Sequence, residues 1–447
     1  MPHADSPTRA LIRLAWPMYV GQMAVMANGV IDTVMAGRLS AIDLAAVGIA
    51  ASIQVSILMS LSAVLLALPA MISTLYGAGR LAGVGREIHQ SLWVSLVLGL
   101  IAFTLLHYPE PFIALSQLQP AVEAKVRAYL AISAWSVPAV LLFRTFYGLF
   151  SGIAQPQAVM QFNLAALALK LPLNLLFMYG LGLGAPGCAL ASTLDSWLVV
   201  LAAWGWCLRQ PRFAPLMLRQ RPGAPDWQVI RAFLRLGVPI ALTFIADLTA
   251  FTFMALFIAR LGPLASGAHQ IASNLAVFAY MLPMALGSAT AVLASQALGA
   301  GQAAHARLIC WHGLRLGLAC AVVVSLILCG GAAHIAMLYT PDQRVQAAAV
   351  PLIVLAGIYH LADALQAVAV NALRGYKRST VPMLIYTLGL WGIGLGGGVV
   401  LGLKDWLGPA RGAEGFWQAA VLSLSLVGVL MALYLERVSR ARVATAD

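Results

Sequence analysis

About twelve apolar stretches, most of them 20 residues or longer and parted by short polar or basic strips, divide this chain from end to end. A helix rises 1.5 Å per residue, so roughly 20 apolar residues cross about 30 Å of hydrocarbon. The stretches run over 12–37, 44–76, 90–108, 125–150, 158–180, 187–208, 228–260, 266–298, 308–330, 346–373, 380–402 and 413–435. Several exceed a straight crossing, which predicts tilt or kinks, with Trp16-Pro17 and Val238-Pro239 as candidate kink or entry points. The pattern predicts an all-α membrane protein.

Composition strengthens that expectation: of 447 residues 61% are hydrophobic and 9% charged, and the mean hydropathy is +0.88. Soluble domains carry roughly a quarter charged residues. The basic residues collect in alternate loops, among them Arg80, Arg86, Arg209, Arg212, Arg307, Arg374, Lys377 and Arg437, which predicts that both termini face the cytoplasm. A net charge of +12 then reflects topology and contact with anionic lipid rather than nucleic-acid binding. The opening MPHADSPTRA is polar and precedes a full-length span, unlike a removable signal peptide. Cys188, Cys207, Cys310, Cys320 and Cys329 lie in or beside apolar spans without metal-like spacing and read as small core residues.

The chain also repeats itself. Shifted by 222 residues, 13–80 falls on 235–302 without a gap: Arg13-Leu14 meets Arg235-Leu236, Pro17 meets Pro239, Arg38-Leu39 meets Arg260-Leu261, and Gly77-Ala78-Gly79 meets Gly299-Ala300-Gly301. A second echo, GAPG at 184–187 and GAEG at 412–415, heads the sixth and twelfth spans. This predicts two six-helix bundles, 1–208 and 228–447, joined by an Arg- and Pro-rich linker at 209–227 and related by a pseudo-two-fold axis along the membrane normal. Such an architecture suggests alternating access about sites at mid-depth.

Candidate sites follow from polar residues stranded in apolar runs, where an acid is expensive and usually functional. In the first half, depth along the spans places Asp32, Lys170, Asn174 and Asp195 at a similar level, with Lys170 and Asp195 able to pair and Asn174 one turn from Lys170. Two readings stand open: a neutral Lys170–Asp195 pair that holds helices together, or a network whose proton occupancy depends on conformation. In the second half, Asp247 and Asp363 lie near the midplane, with Tyr359 one turn before Asp363 and His360 at spacing three. Two acids and a phenol oxygen can hold a small hard cation, such as Na+, or share one proton. The acids break the repeat, since Asp32 falls on Met254 and Asp247 on Val25.

No G-x-x-x-x-G-K-[ST], H-E-x-x-H or G-x-S-x-G pattern occurs, which argues against nucleotide-driven pumping and against hydrolysis; no cofactor is expected. A membrane transferase would place its acid or His near an interface, whereas these acids lie deep. A lipid-linked oligosaccharide flippase would line its cavity with arginines, whereas only Arg144 and Lys170 stand out within spans.

With these residues in view, the chain resembles the multidrug and toxic compound extrusion (MATE) family in its NorM-like branch. The resemblance is carried by IDTVMAGRLSAIDLAAVGIAASI at 31–53, LPLNLLFMYG at 171–180, AHQIASN at 268–274, FAYMLPMALGSA at 278–289, DALQAVAVNALRGYK at 363–377 and GAEGFW at 412–417. It implies an exporter of cationic or amphipathic compounds, working as a single chain by antiport with Na+ or H+ in the cell inner membrane. The family's first-span acid matches Asp32, its tenth-span acid and tyrosine match Asp363 and Tyr359, and its eighth-span pair matches His269 and Gln270. Two departures are visible: Asp247 stands where Glu is usual, and Lys170 where many members carry Asn, which puts sodium binding in the first half in doubt. Lipophilic cations also suit walls of Met and aromatic residues, for which Met35, Met254, Phe278, Tyr280 and Met281 are candidates alongside His269, Gln270 and His360.

Overall fold

The computed structural model describes residues 6–116, 118–220, 223–406 and 408–445, so residues 221 and 222 of the expected linker lie outside the described residues. Its long helices are α1 (Pro7–Leu39), α2 (Ala41–Gly77), α3 (Leu81–His107), α4 (Pro120–Ala134 continued by Val137–Gly152), α5 (Pro156–Gly180) and α6 (Ala185–Arg209). They continue as α7 (Trp227–Ala259), α8 (Pro263–Gly299), α9 (Ala303–Tyr339), α10 (Gln343–Gly375), α11 (Thr380–Leu403) and α12 (Ala413–Ala444). Helices satisfy every backbone group internally, as a lipid environment requires.

Among the described residues, ten of these helices are long and apolar enough to cross a membrane, and the bent pair that forms α4 makes an eleventh. The expected first span, α1, is 33 residues long but falls short in apolarity because Gln22, Asn28 and Asp32 interrupt it from its middle onward. The very residues that lower its hydropathy are the polar ones a site would use.

Packing divides the chain into two compact units: Pro17–Ala241, and the chain up to Trp16 together with the chain from Leu242 on. The changes of unit fall inside α1 and α7, beside Pro17 and Pro239. Both prolines sit within unbroken helices, where the missing N–H loosens the backbone ladder.

The repeat recurs as backbone conformation within each unit. Ser73 Oγ donates to Gly152 O at 3.1 Å in one unit, and Ser295 Oγ donates to Gly375 O at 3.2 Å in the other. Two residues further on, Ala154 and Lys377 both adopt left-handed backbone, with φ of 58° and 57°. The GAPG and GAEG echo has a physical cause of the same kind. Gly184 and Gly412 turn the chain at φ of 60° and 58°, while a Cβ on Gly187 or Gly415 would come within 2.6 Å of Phe177 O or Leu401 O. Each motif therefore needs its first glycine for the turn and its second for close contact with the preceding span.

Several spans depart from regular α-helix. α2 passes through a 3-10 stretch at Ala63–Ala67, α4 bends by 48° between its two parts, and α5 and α11 each contain a π-helical segment, Leu175–Gly180 and Gly389–Gly396. π segments inside α-helices are often found at functional sites.

Candidate functional site

Each unit holds its own polar cluster. In the first, α1 supplies Asp32, α5 supplies Lys170 and Asn174, and α6 supplies Ser192 and Asp195. Lys170 Nζ lies 2.9 Å from Asp32 Oδ2, and Asn174 Nδ2 donates to Asp32 Oδ1 at 2.7 Å. Lys170 also donates to Ser192 Oγ, whose hydroxyl donates in turn to Cys188 O at 2.9 Å. The π segment of α5 is tied to α1 through Tyr179 Oη, which donates to Met35 O at 2.8 Å.

The four residues expected together, Asp32, Lys170, Asn174 and Asp195, therefore do line one region, but the ammonium is bound differently from the Lys170–Asp195 pairing that depth alone allowed. Among the described residues no ion pair joins Lys170 to Asp195. Depth along a helix fixes level and leaves rotation open, and the shared face of Lys170 and Asn174 points to Asp32. Asp195 is 7% exposed, and its Oδ1 is buried without a hydrogen-bond partner. Asn174 Oδ1 is buried and unpartnered as well.

The second cluster is built from carboxylates and phenols. Asp247 on α7 accepts a hydrogen bond from Tyr386 Oη on α11. Asp363 and Tyr359, one turn apart on α10, are both buried, and Asp247, Tyr280 and Tyr359 all lie within electrostatic range of Asp363. Tyr359 is held edge-on by Phe251 and Trp417, with ring centroids 6.4 and 5.8 Å away. Trp417 Nε1 donates to His269 Nδ1 at 3.3 Å, so His269 supports the aromatic wall behind Tyr359. Among the described residues no Lys or Arg forms an ion pair with Asp247 or Asp363. Hard oxygen donors without a resident cation suit a small cation or a proton. No group of three His, Cys, Asp or Glu side chains suited to a metal occurs among the described residues.

The other candidates are scattered. Met35 and Met254 are buried in their own units, and Tyr280 and Met281 are half-buried. Phe278 is exposed, and Gln270 is exposed and donates to Asn274 Oδ1 at 3.2 Å. His360 is buried beside the second cluster, with neither ring nitrogen hydrogen-bonded. An apolar groove of about 420 Å³ between α3 and α4, walled by Leu96, Leu100, Phe103 and Pro138, contains none of the expected residues. Sequence reasoning missed Ser192 and Tyr386. Tyr386 had a signal, a single phenol in the apolar run TVPMLIYTL, but tyrosine at helical spacing is common in membrane helices.

The MatE family model matches residues 17–176 and 239–400, two segments whose starts are separated by the repeat offset. A probable multidrug resistance protein NorM from Chromobacterium violaceum is 37% identical over 447 residues, covering 97% of this chain and 94% of that protein. The multidrug resistance protein MdtK of Yersinia pseudotuberculosis is 32% identical over 430 residues, covering 95% and 94%. Among solved structures, an outward-facing multidrug resistance MATE family transporter of the MOP superfamily superposes with a TM-score of 0.89 at 16% identity, covering 98% of this chain and 97% of that one. The eukaryotic MATE transporter AtDTX14 superposes with a TM-score of 0.86 at 17% identity, covering 99% of both.

Proposed function

The chain belongs to the MatE family of membrane transporters, and on that premise we propose that it exports lipophilic or amphipathic cations by antiport with Na+ or H+. The observation that carries this reading is the second cluster, where Asp247 and Asp363 face three phenols in an apolar bundle and no Lys or Arg among the described residues pairs with them. Buried carboxylates without a cation of their own attract one from outside.

Coupling then follows from competition. An inward-moving ion that neutralises Asp247 and Asp363 removes the charge that holds a cationic substrate, so the two cargoes favour different states. Tyr280 offers an aromatic face, and Met281 an adaptable apolar contact, to a flat lipophilic cation. The two six-helix bundles, with the 209–227 strip as linker, would alternate access about these sites, working as a single chain in the inner membrane. The concentration of Arg and Lys in alternate loops supports cytoplasmic termini.

The test is efflux of a fluorescent lipophilic cation from proteoliposomes, with sodium and pH gradients imposed separately. Efflux driven by either gradient supports antiport. Absence of efflux under both would overturn the reading and direct attention to lipid-linked substrates.

A further inference from the structure

We propose that Lys170 is a cation built into the chain that already fills the acidic cluster of the 17–241 unit, and that Asp195 carries the one proton needed to neutralise the remainder. This half would then exchange protons and take no sodium ion. The inference deepens the antiport reading by naming the ion for one of the two clusters, and it rests on that reading only for its role in transport.

Charge and geometry carry it. The cluster holds two carboxylates and one ammonium, so one negative charge is left over. Both oxygens of Asp32 are engaged, Oδ2 by Lys170 Nζ at 2.9 Å and Oδ1 by Asn174 Nδ2 at 2.7 Å. Lys170 is itself held from a second side by Ser192 Oγ and is 3% exposed. A sodium ion at Asp32 would have to displace a buried, doubly held ammonium or sit beside it, and two cations in one apolar pocket repel. The donor set therefore does not fit sodium.

The leftover charge belongs to Asp195. It lies one turn beyond Ser192 on α6, buried, with Oδ1 lacking any partner. The groups that face this cluster are Asp32 from α1, Tyr129 from α4, Lys170 and Asn174 from α5, and Cys188 and Ser192 from α6. The single cation among them is bound to Asp32. An ionised carboxylate with a bare buried oxygen is costly, and a proton removes the cost without needing room.

The arrangement also supplies a way to move that proton. If Lys170 leaves Asp32 for Asp195, the O–H bond at Asp195 breaks and its proton passes to water, while Asp32, deprived of its partner, takes up one proton and forms an O–H bond. The ammonium keeps its three hydrogens throughout, and the cluster is neutral in both arrangements.

Two measurements on the purified full-length protein test this without relying on transport. Infrared spectroscopy at neutral pH counts protonated carboxyls through their C=O band; Asp195→Asn, an isosteric change, should lose one per chain. An unchanged count would overturn the proposal. Sodium binding is then measured by calorimetry in Asp247→Asn/Asp363→Asn, where the second cluster is neutral. No binding heat is expected with Lys170 present, and adding Lys170→Asn should create sodium binding that Asp32→Asn abolishes. Sodium binding with Lys170 intact would overturn it. Should Lys170→Asn melt too low to study, Lys170→Arg, which keeps the charge, must remain free of sodium binding. Failed efflux with these results intact would indict the antiport reading alone.

Discussion

The two units solve the same backbone problem in the same way and the charge problem in opposite ways. Ser73 and Ser295 cap equivalent carbonyls, Ala154 and Lys377 turn with the same φ, and Gly184 and Gly412 start equivalent helices. Yet one unit pairs its first acid with an ammonium, and the other surrounds its acids with phenols. Turns and close helix contacts depend on a few backbone positions that tolerate little change, so a duplicated scaffold keeps them. A buried charge needs only some partner, and any neighbouring helix can supply it. Chemistry has therefore been free to diverge where the backbone has not.

The sharpest contrast comes from removing one acid from each cluster. Asp363→Asn should bring efflux down to the background of empty liposomes while the protein melts as before, because Asp247 alone is left to hold both the coupling ion and the cationic substrate. Asp195→Asn should leave sodium-driven efflux, if present, intact and flatten the dependence on pH. Equal losses from both variants in both gradients would erase the distinction between the clusters.

Stability separates them next. Removing one member of a buried ion pair leaves the other uncompensated, at a cost of about 3–5 kcal/mol. Lys170→Ala should therefore lower the melting temperature markedly, and Lys170→Ala/Asp32→Asn should recover more of the loss than Lys170→Ala/Asp195→Asn. Equal recovery in the two double variants would mean that the ammonium does not favour Asp32. In the other unit Tyr386→Phe removes a hydrogen bond to a carboxylate, worth about 1.5–3 kcal/mol. It should lower the melting temperature by less than Lys170→Ala does and shift the ion dependence of efflux by about tenfold or more.

Much of this contrast was legible before any coordinates. Hydropathy marked the spans, the fixed offset marked the repeat, and the rarity of charge in apolar runs marked Asp32, Asp195, Asp247 and Asp363. What stayed hidden was rotation about the helix axes. In a soluble helix the apolar stripe tells which face turns inward, but a lipid-facing side is as apolar as a packed one, so the periodicity that would have aimed Lys170 at Asp32 is faint. Tyr386 was hidden for a related reason, since a phenol in a span reads equally well as packing. α1 shows the converse, because its polar residues lower its hydropathy while marking the site.

Finer comparisons test whether the shared turns are equivalent in energy. At Gly184 a Cβ would lie 2.6 Å from Asp43 Oδ1, the atom that accepts from Lys125 Nζ at 2.6 Å and from Ala185 N at 2.8 Å. At Gly412 the nearest atom is Leu261 Cδ1 at 3.7 Å, an ordinary contact. Both glycines have positive φ, so alanine at either should lose about 1–2 kcal/mol from backbone strain, and only Gly184→Ala should lose more by disturbing the Asp43 contacts. Melting curves of the two variants would measure the difference, and a larger drop for Gly412→Ala would contradict it.

The smallest expected effect is the most direct test of equivalence. Ser73→Ala and Ser295→Ala each remove one buried hydroxyl that donates to a backbone carbonyl, and each should destabilise by about 1 kcal/mol. Because the bonds are 3.1 and 3.2 Å long and both serines are fully buried, the two losses should agree within error and add in the double variant, whose sites share no partner. A clear inequality would mean that the packing around one of the repeated turns has drifted as far as the charges have, and the separation between a retained scaffold and a divergent chemistry would then fail at its simplest point.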